Sequence, residues 1–430
     1  MAKRSKKQTR KIRNLVMLCA ICAIVLTVST YAWFIGMKTV RVSTFDIDIA
    51  TTEGLFLSMN GKDWSYTLDA RNADPYDGHT NTWAETGLIP MSTVGDMDSN
   101  VSRMKLFEKA SLTTTHGGYR LLTSRVGNYV TTSDDGAVSQ GKGYVAFDLF
   151  IKNLSGEEYY VENDKLNGEA IYLTTDSAVT IASSGAEPNT GIENSVRVAF
   201  TQVGRVEADS TNVSEITGMT CKNTGNVTGI CRDAQIWEPN DTKHVQNAIN
   251  WYNTSCLKRT GDTVTEKDSY VMATKTDENP TNCGRVYNGT AYSTYAVSRD
   301  ILVRDNVDIY DGADFNGYGD NSVAYDTYSV APDKSQYTLV DVDYFTDTEK
   351  NLRGTERPTF MTLAPNSITK LRVYIFIEGQ DVDNYDFASL GKKISVKFGF
   401  TKERFFGEDI NYDDSNTATL PDDVIASKSE

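Results

Sequence analysis

The chain has 430 residues, 39% of them apolar and 23% charged, the balance of a folded globular protein and not of a disordered one. It carries 43 basic against 58 acidic side chains, a net charge of −15, which argues against binding a nucleic-acid backbone. Tyr (23) and Gly (31) are abundant and Pro is scarce at 9, a mix that favours strands and turns over helices.

Residues 1–13 hold seven basic side chains and no acid, and no charge follows from Asn14 to Met37. The apolar core of that run, LVMLCAICAIVLTV, spans Leu15 to Val28. A basic segment, a short apolar stretch and the small residues Thr30 and Ala32 make an export signal, with signal peptidase expected to cut between Ala32 and Trp33. The other reading keeps residues 14–37 as an uncleaved single-pass anchor, with Tyr31 and Trp33 at the membrane interface. Both readings put the body outside the cytoplasm, secreted or at the cell surface. Without residues 1–32 that body has 36 basic and 58 acidic side chains, a composition suited to solubility outside a cell or to cation binding.

Beyond the leader the pattern has period two. FDIDIA places Phe45, Ile47 and Ile49 on one face. YVAFDLFIKN does so with Phe147, Leu149 and Ile151, and SVRVAF with Val196, Val198 and Phe200. LRVYIFIE offers Leu371, Val373, Ile375 and Ile377, and KISVKFGF offers Ile394, Val396, Phe398 and Phe400. Such alternation predicts strands with one face buried and the other solvated. Shorter candidates are Leu55–Met59, Ala170–Thr174 and Thr338–Phe345. With no helical intervals for βαβ units, the expectation is all-β: a jelly-roll-like antiparallel sandwich over residues 33–206 and 299–405.

Residues 207–298 break the rhythm. They contain Cys221, Cys231, Cys256 and Cys283, the four cysteines of the body, and read as an insertion stapled by two disulfides of undetermined pairing. A zinc site is the alternative, although no CxxC pair is present. One helix is expected here, DTKHVQNAINWYN, capped by Asp241. IWEPN, at Ile236–Asn240, reads as a turn with Trp237 packed on the insertion. Residues 406–430 form an acidic, polar tail.

Three stretches carry a resemblance. They are the junction TVSTYAWF with STFDIDIATTEGLFLS behind it, YVAFDLFIKNLSGEEYYV, and SITKLRVYIFIEGQD followed by KKISVKFGF. Together they resemble the TasA and camelysin family of secreted bacterial proteins, whose signal is removed by a SipW-type peptidase. The Cys-bearing insertion has no counterpart there. The resemblance implies a jelly roll that polymerises into extracellular matrix or biofilm fibres, the freed N-terminal segment of one subunit completing a sheet of the next. The donor residues would be Trp33, Phe34, Ile35, Met37, Val40 and Val42, since an extended segment with alternating apolar side chains suits strand addition. The partners are then further copies of this chain in a filament.

Signals for catalysis are thin. The three His, His79, His116 and His244, lie in HTN, HGG and HVQ, so no HExxH zinc motif exists, and no GxSxG elbow accompanies them. Each reads as a surface or turn residue, and the protein as a non-enzyme. In DNVDIYDGADFNGYGDN, Asp314, Asn316 and Asp320 have spacing that could serve Ca²⁺, the one cofactor the sequence offers. A solvated Asp/Gly turn explains the same residues. A tethered adhesion module binding glycan or Ca²⁺ is the rival to the fibre reading, with Tyr310, Phe315, Tyr318, Tyr325 and Tyr328 as an aromatic surface for sugar.

Overall fold

The computed structural model describes residues 45–405 except 53, 80, 84–86, 113–119, 127–142, 163–167, 182–189, 251–286, 293–294, 298–338, 380 and 386–392. The principal strands are β1 (Phe45–Thr51), β2 (Leu55–Ser58), β3 (Thr67–Asp69), β4 (Pro90–Ser92), β5 (Val145–Asn153), β6 (Glu169–Leu173) and β7 (Ala178–Ile181). They continue with β8 (Val196–Glu207), β9 (Thr228–Gly229), β10 (Gln235–Glu238), β11 (Phe345–Thr346), β12 (Met361–Leu363), β13 (Ser367–Glu378) and β14 (Ile394–Thr401). All five long alternating segments are strands.

The smaller sheet runs β12-β6-β14-β1-β3, with β7 also on β14. The larger is built on β13. β8 pairs antiparallel along one side of it, while β5 and then β4 take the other. β10 and β11 extend the sheet beyond β8, and β2 extends it beyond β5. Most pairs are antiparallel, but β1 with β14, β10 with β11 and β13 with β4 are parallel. The sheets are thus mixed and not purely antiparallel, because long connections carry the chain across the body before it re-enters a sheet.

One core lies between the two sheets. Ile47 and Ile49 of β1 and Ile394, Val396, Phe398 and Phe400 of β14 meet Phe147, Leu149 and Ile151 of β5 and their neighbours on β8 and β13. Phe200 sits edge-on to Phe360, Phe398 and Phe400, with ring centroids 5.3, 5.0 and 5.6 Å away. This is the geometry in which ring quadrupoles attract.

The second face of the large sheet is also covered. Met91, Met104 and Leu106 lie with Ala146, Ala199, Tyr374 and Phe376, while Ile216, Met219 and Val227 pack with Phe150, Val206 and Ile368. The expectation of a solvated polar face therefore holds for β1 and β14, where Asp48 and Lys397 are exposed, and fails for β5, β8 and β13. Polar side chains on those strands, among them Asp148, Arg197 and Arg372, are buried. They pair with one another instead of with water.

Two further expectations need correction. Residues 246–250 are helical, so the turn starts well after Asp241, whose carboxylate accepts the Thr348 hydroxyl at 2.7 Å. The N–H of Val245 is bound by the Asp383 carboxylate at 3.1 Å, a cap supplied from another part of the chain. IWEPN is a turn only from Pro239 onward, since Gln235–Glu238 is β10. Trp237 is fully buried in the main core and its indole N–H donates to Asp347 Oδ1 at 2.9 Å. Residues 207–250 are tied to the large sheet through β9 and β10. Two short helices went unread: α1 (Val213–Thr217), and α2 (Asp347–Lys350), which opens on a full capping box between Thr346 and Glu349.

Candidate functional site

Two buried polar clusters stand on the covered face of the large sheet. In the first, Asp148 of β5 lies directly opposite Arg372 of β13. Its carboxylate accepts from Arg372 Nε at 2.7 Å and Nη2 at 3.2 Å and from the Tyr76 hydroxyl at 2.5 Å, with Lys370 Nζ at 3.4 Å. Burial alone would raise its pKa, but the Arg372 and Lys370 charges hold it well below the usual carboxylate range. Lys370 is pulled down to about 8, by burial first, against the lifting effect of Asp148. One carboxylate answers two cations here, and the Thr217 and Ser102 carbonyls take up further N–H groups of Lys370 and Arg372, which makes this cluster a structural tie.

The second cluster lies where the Ile192–Ser195 turn, the segment after β10 and the segment after β13 converge. Arg197, wholly buried, donates to Glu238, to Asp381 Oδ2 at 2.6 Å and to the Asn194 carbonyl at 3.1 Å. Asp381 Oδ1 accepts the N–H of Asp383 at 2.7 Å. Asp383 Oδ2 in turn is 2.7 Å from His244 Nδ1, and His244 Nε2 is 3.0 Å from the Thr290 carbonyl. Gly191 (φ 70°) permits this packing, because a Cβ there would stand 2.7 Å from both Asp383 Oδ1 and Val245. The enclosed space is about 10 Å³, enough for roughly one water.

A backbone carbonyl only accepts, so Nε2 carries a proton, and Nδ1 shares one further proton with Asp383. Burial lowers and Asp383 raises the His244 pKa, the net result being upward. Asp383 is raised to about 6, by burial and by the neighbouring Asp381 charge against the pull of His244. This is half of a hydrolytic triad without its working end, since the nitrogen that would face a nucleophile is spent on Thr290. His244 therefore differs from the turn residue expected of it. His79 fits that description, with Nδ1 2.7 Å from the Tyr76 carbonyl at an exposed position.

A cleft of about 660 Å³ opens beside the disulfide loop, lined by Tyr159, Val161, Glu162, Glu207, Asp209 and Asn226 among others. Cys221 and Cys231 form the disulfide. Cys256 and Cys283 lie outside the described residues, as do the cleavage pair Ala32 and Trp33, the donor candidates Phe34, Ile35, Met37, Val40 and Val42, and the oxygen ligands Asp314, Asn316 and Asp320. Residues 14–37, His116 and the aromatics from Tyr310 to Tyr328 are outside as well. Among the described residues no group of three or more His, Cys, Asp or Glu is set to hold a metal, and no helix is long and apolar enough to cross a membrane.

The described residues form a mostly β body of two facing sheets with internal ion-pair ties and a short disulfide loop. No family model, curated protein or solved structure matches the chain.

Proposed function

We propose that this protein is an exported structural component of a bacterial cell surface or biofilm matrix, of the TasA and camelysin type, with a jelly-roll-like body that joins further copies by strand addition. The observation that carries the reading is the edge at β1. Residues 33–44 run directly into this seven-residue strand, and β3 with its flanking residues Tyr66 and Ala70 bonds to it from Ile47 to Thr51, so that among the described residues Phe45 and Asp46 have no strand partner on that side. A sheet edge covered for part of its length is a place where another extended segment gains backbone hydrogen bonds. The basic leader and apolar run before Ala32 then serve export, and the apolar residues between Trp33 and Val42 serve assembly.

Electron microscopy of purified chains beginning at Trp33 and at Phe45 tests this. Fibres from the first and dispersed particles from the second are the expected result. Dispersed particles from both, at every concentration and pH tried, would overturn the reading. N-terminal sequencing of surface-extracted protein is expected to start at Trp33, whereas an intact Met1 or Ala2 end would favour the tethered alternative.

A further inference from the structure

We propose that His244 and Asp383 form a pH-controlled clip that fastens residues 288–290 to residues 242–245, closed while the pair keeps its shared proton and open once that proton leaves. Residues 251–286 lie outside the described residues, which resume at Tyr287. Residues 288–290 bond to residues 242–244 in three places. The Gly289 N–H donates to the Thr242 carbonyl at 2.7 Å, the His244 N–H donates to Asn288 Oδ1 at 3.0 Å, and His244 Nε2 donates to the Thr290 carbonyl at 3.0 Å. The first joins two backbone segments, the second joins backbone to the Asn288 side chain, and the third places a titrating ring beside them.

On the body side the ring is fixed by Asp383, which also binds the Val245 N–H through its other oxygen. Removing the shared proton leaves an imidazole lone pair and a carboxylate oxygen facing each other at the 2.7 Å they now occupy. The neutral ring has one proton left: held on Nδ1 it keeps the bond to Asp383 and turns a bare Nε2 toward the Thr290 carbonyl, which ends that bond, and held on Nε2 it forces the ring off Asp383. The charged groups around it oppose each other. Asp381, Glu238 and Asp241 line the same small space and favour keeping the proton, whereas Lys243 lines it too and favours losing it, with Arg197 behind Asp381 and Glu238. Tyr292 stacks edge-on to the ring at 5.4 Å.

The sign is the same for both partners. Each binds its proton more tightly here than when unfolded, so the clip's contribution is complete on the acid side and is lost as pH rises through the pair's titration. An exported protein meets such changes of pH directly.

Amide exchange of Gly289 and His244 in the whole exported body, normalised to an unstructured peptide at each pH from about 5 to about 9, reads the clip. Protection is expected to fall about tenfold across the titration, the scale of one lost charged hydrogen bond. In Asp383→Asn the new amide can donate to Nδ1 and keep its oxygen for Val245, so protection should stay level with pH. A level profile in the unsubstituted protein, or the same fall in Asp383→Asn, overturns the proposal. A titration of the His244 ring by NMR in the unsubstituted protein guards against a variant that fails to fold. A ring that titrates at or below the ordinary histidine value overturns it as well.

Discussion

Asp148 shows how a single side chain can be essential to a core without adding apolar surface. It is wholly buried and answered by Arg372, Tyr76 and Lys370, so Asp148→Ala leaves buried cations unpaired. The expected loss is about 3–5 kcal/mol, read by urea unfolding near neutral pH. Its folded pKa is depressed, so its stabilisation is present above the unfolded carboxylate value and disappears only as pH falls through the lower folded one. Lys370 has the opposite dependence on alkali from the His244 clip. Its pKa is lowered to about 8, so stability attributable to it rises as pH climbs from there toward the unfolded lysine value. Lys370→Met should flatten that rise in alkaline melts. Gly229 makes a steric case, because a Cβ there would lie 2.3 Å from the Cys221 carbonyl oxygen and 2.8 Å from Lys222 N. Gly229→Ala is expected to lower stability by about 1–3 kcal/mol, measured by thermal unfolding alongside a free-thiol assay.

Element by element, the strands were legible because alternation is a local signal that the core enforces at every second residue. The burial of their other face was not, since what covers it comes from far along the chain: Arg372 is 224 positions from Asp148 and faces it only once β5 and β13 are in register. The helix near 241 was misplaced for the same reason, its capping carboxylate being Asp383 and not the adjacent Asp241. The Thr346-to-Glu349 capping box was present in the sequence, yet α2 is four residues long and has no apolar periodicity to draw notice. Thr346→Ala should cost about 1 kcal/mol, seen as a lower midpoint with unchanged slope in denaturant unfolding.

For the whole molecule, the two-sheet body could be anticipated from composition and period, but the site could not. His244 lies in an unremarkable HVQ context, and nothing nearby announces that residues 290 and 383 converge on it. The Cys221–Cys231 bond closes a ten-position loop, so its loss in Cys221→Ser should cost about 3 kcal/mol in a loop-entropy account, checked by melts with and without reductant.

The parallel union of β1 and β14 carries a mechanical consequence. Phe45 sits beside Ile394 and Thr51 beside Phe400, so the segment before β1 leaves from one pole of this pair and the segment after β14 from the other. Tension applied between those two ends loads all seven paired positions at once in sliding, where an antiparallel pair would peel open one bond at a time. Stretched from end to end, the body should resist as a shear lock and not as a zipper.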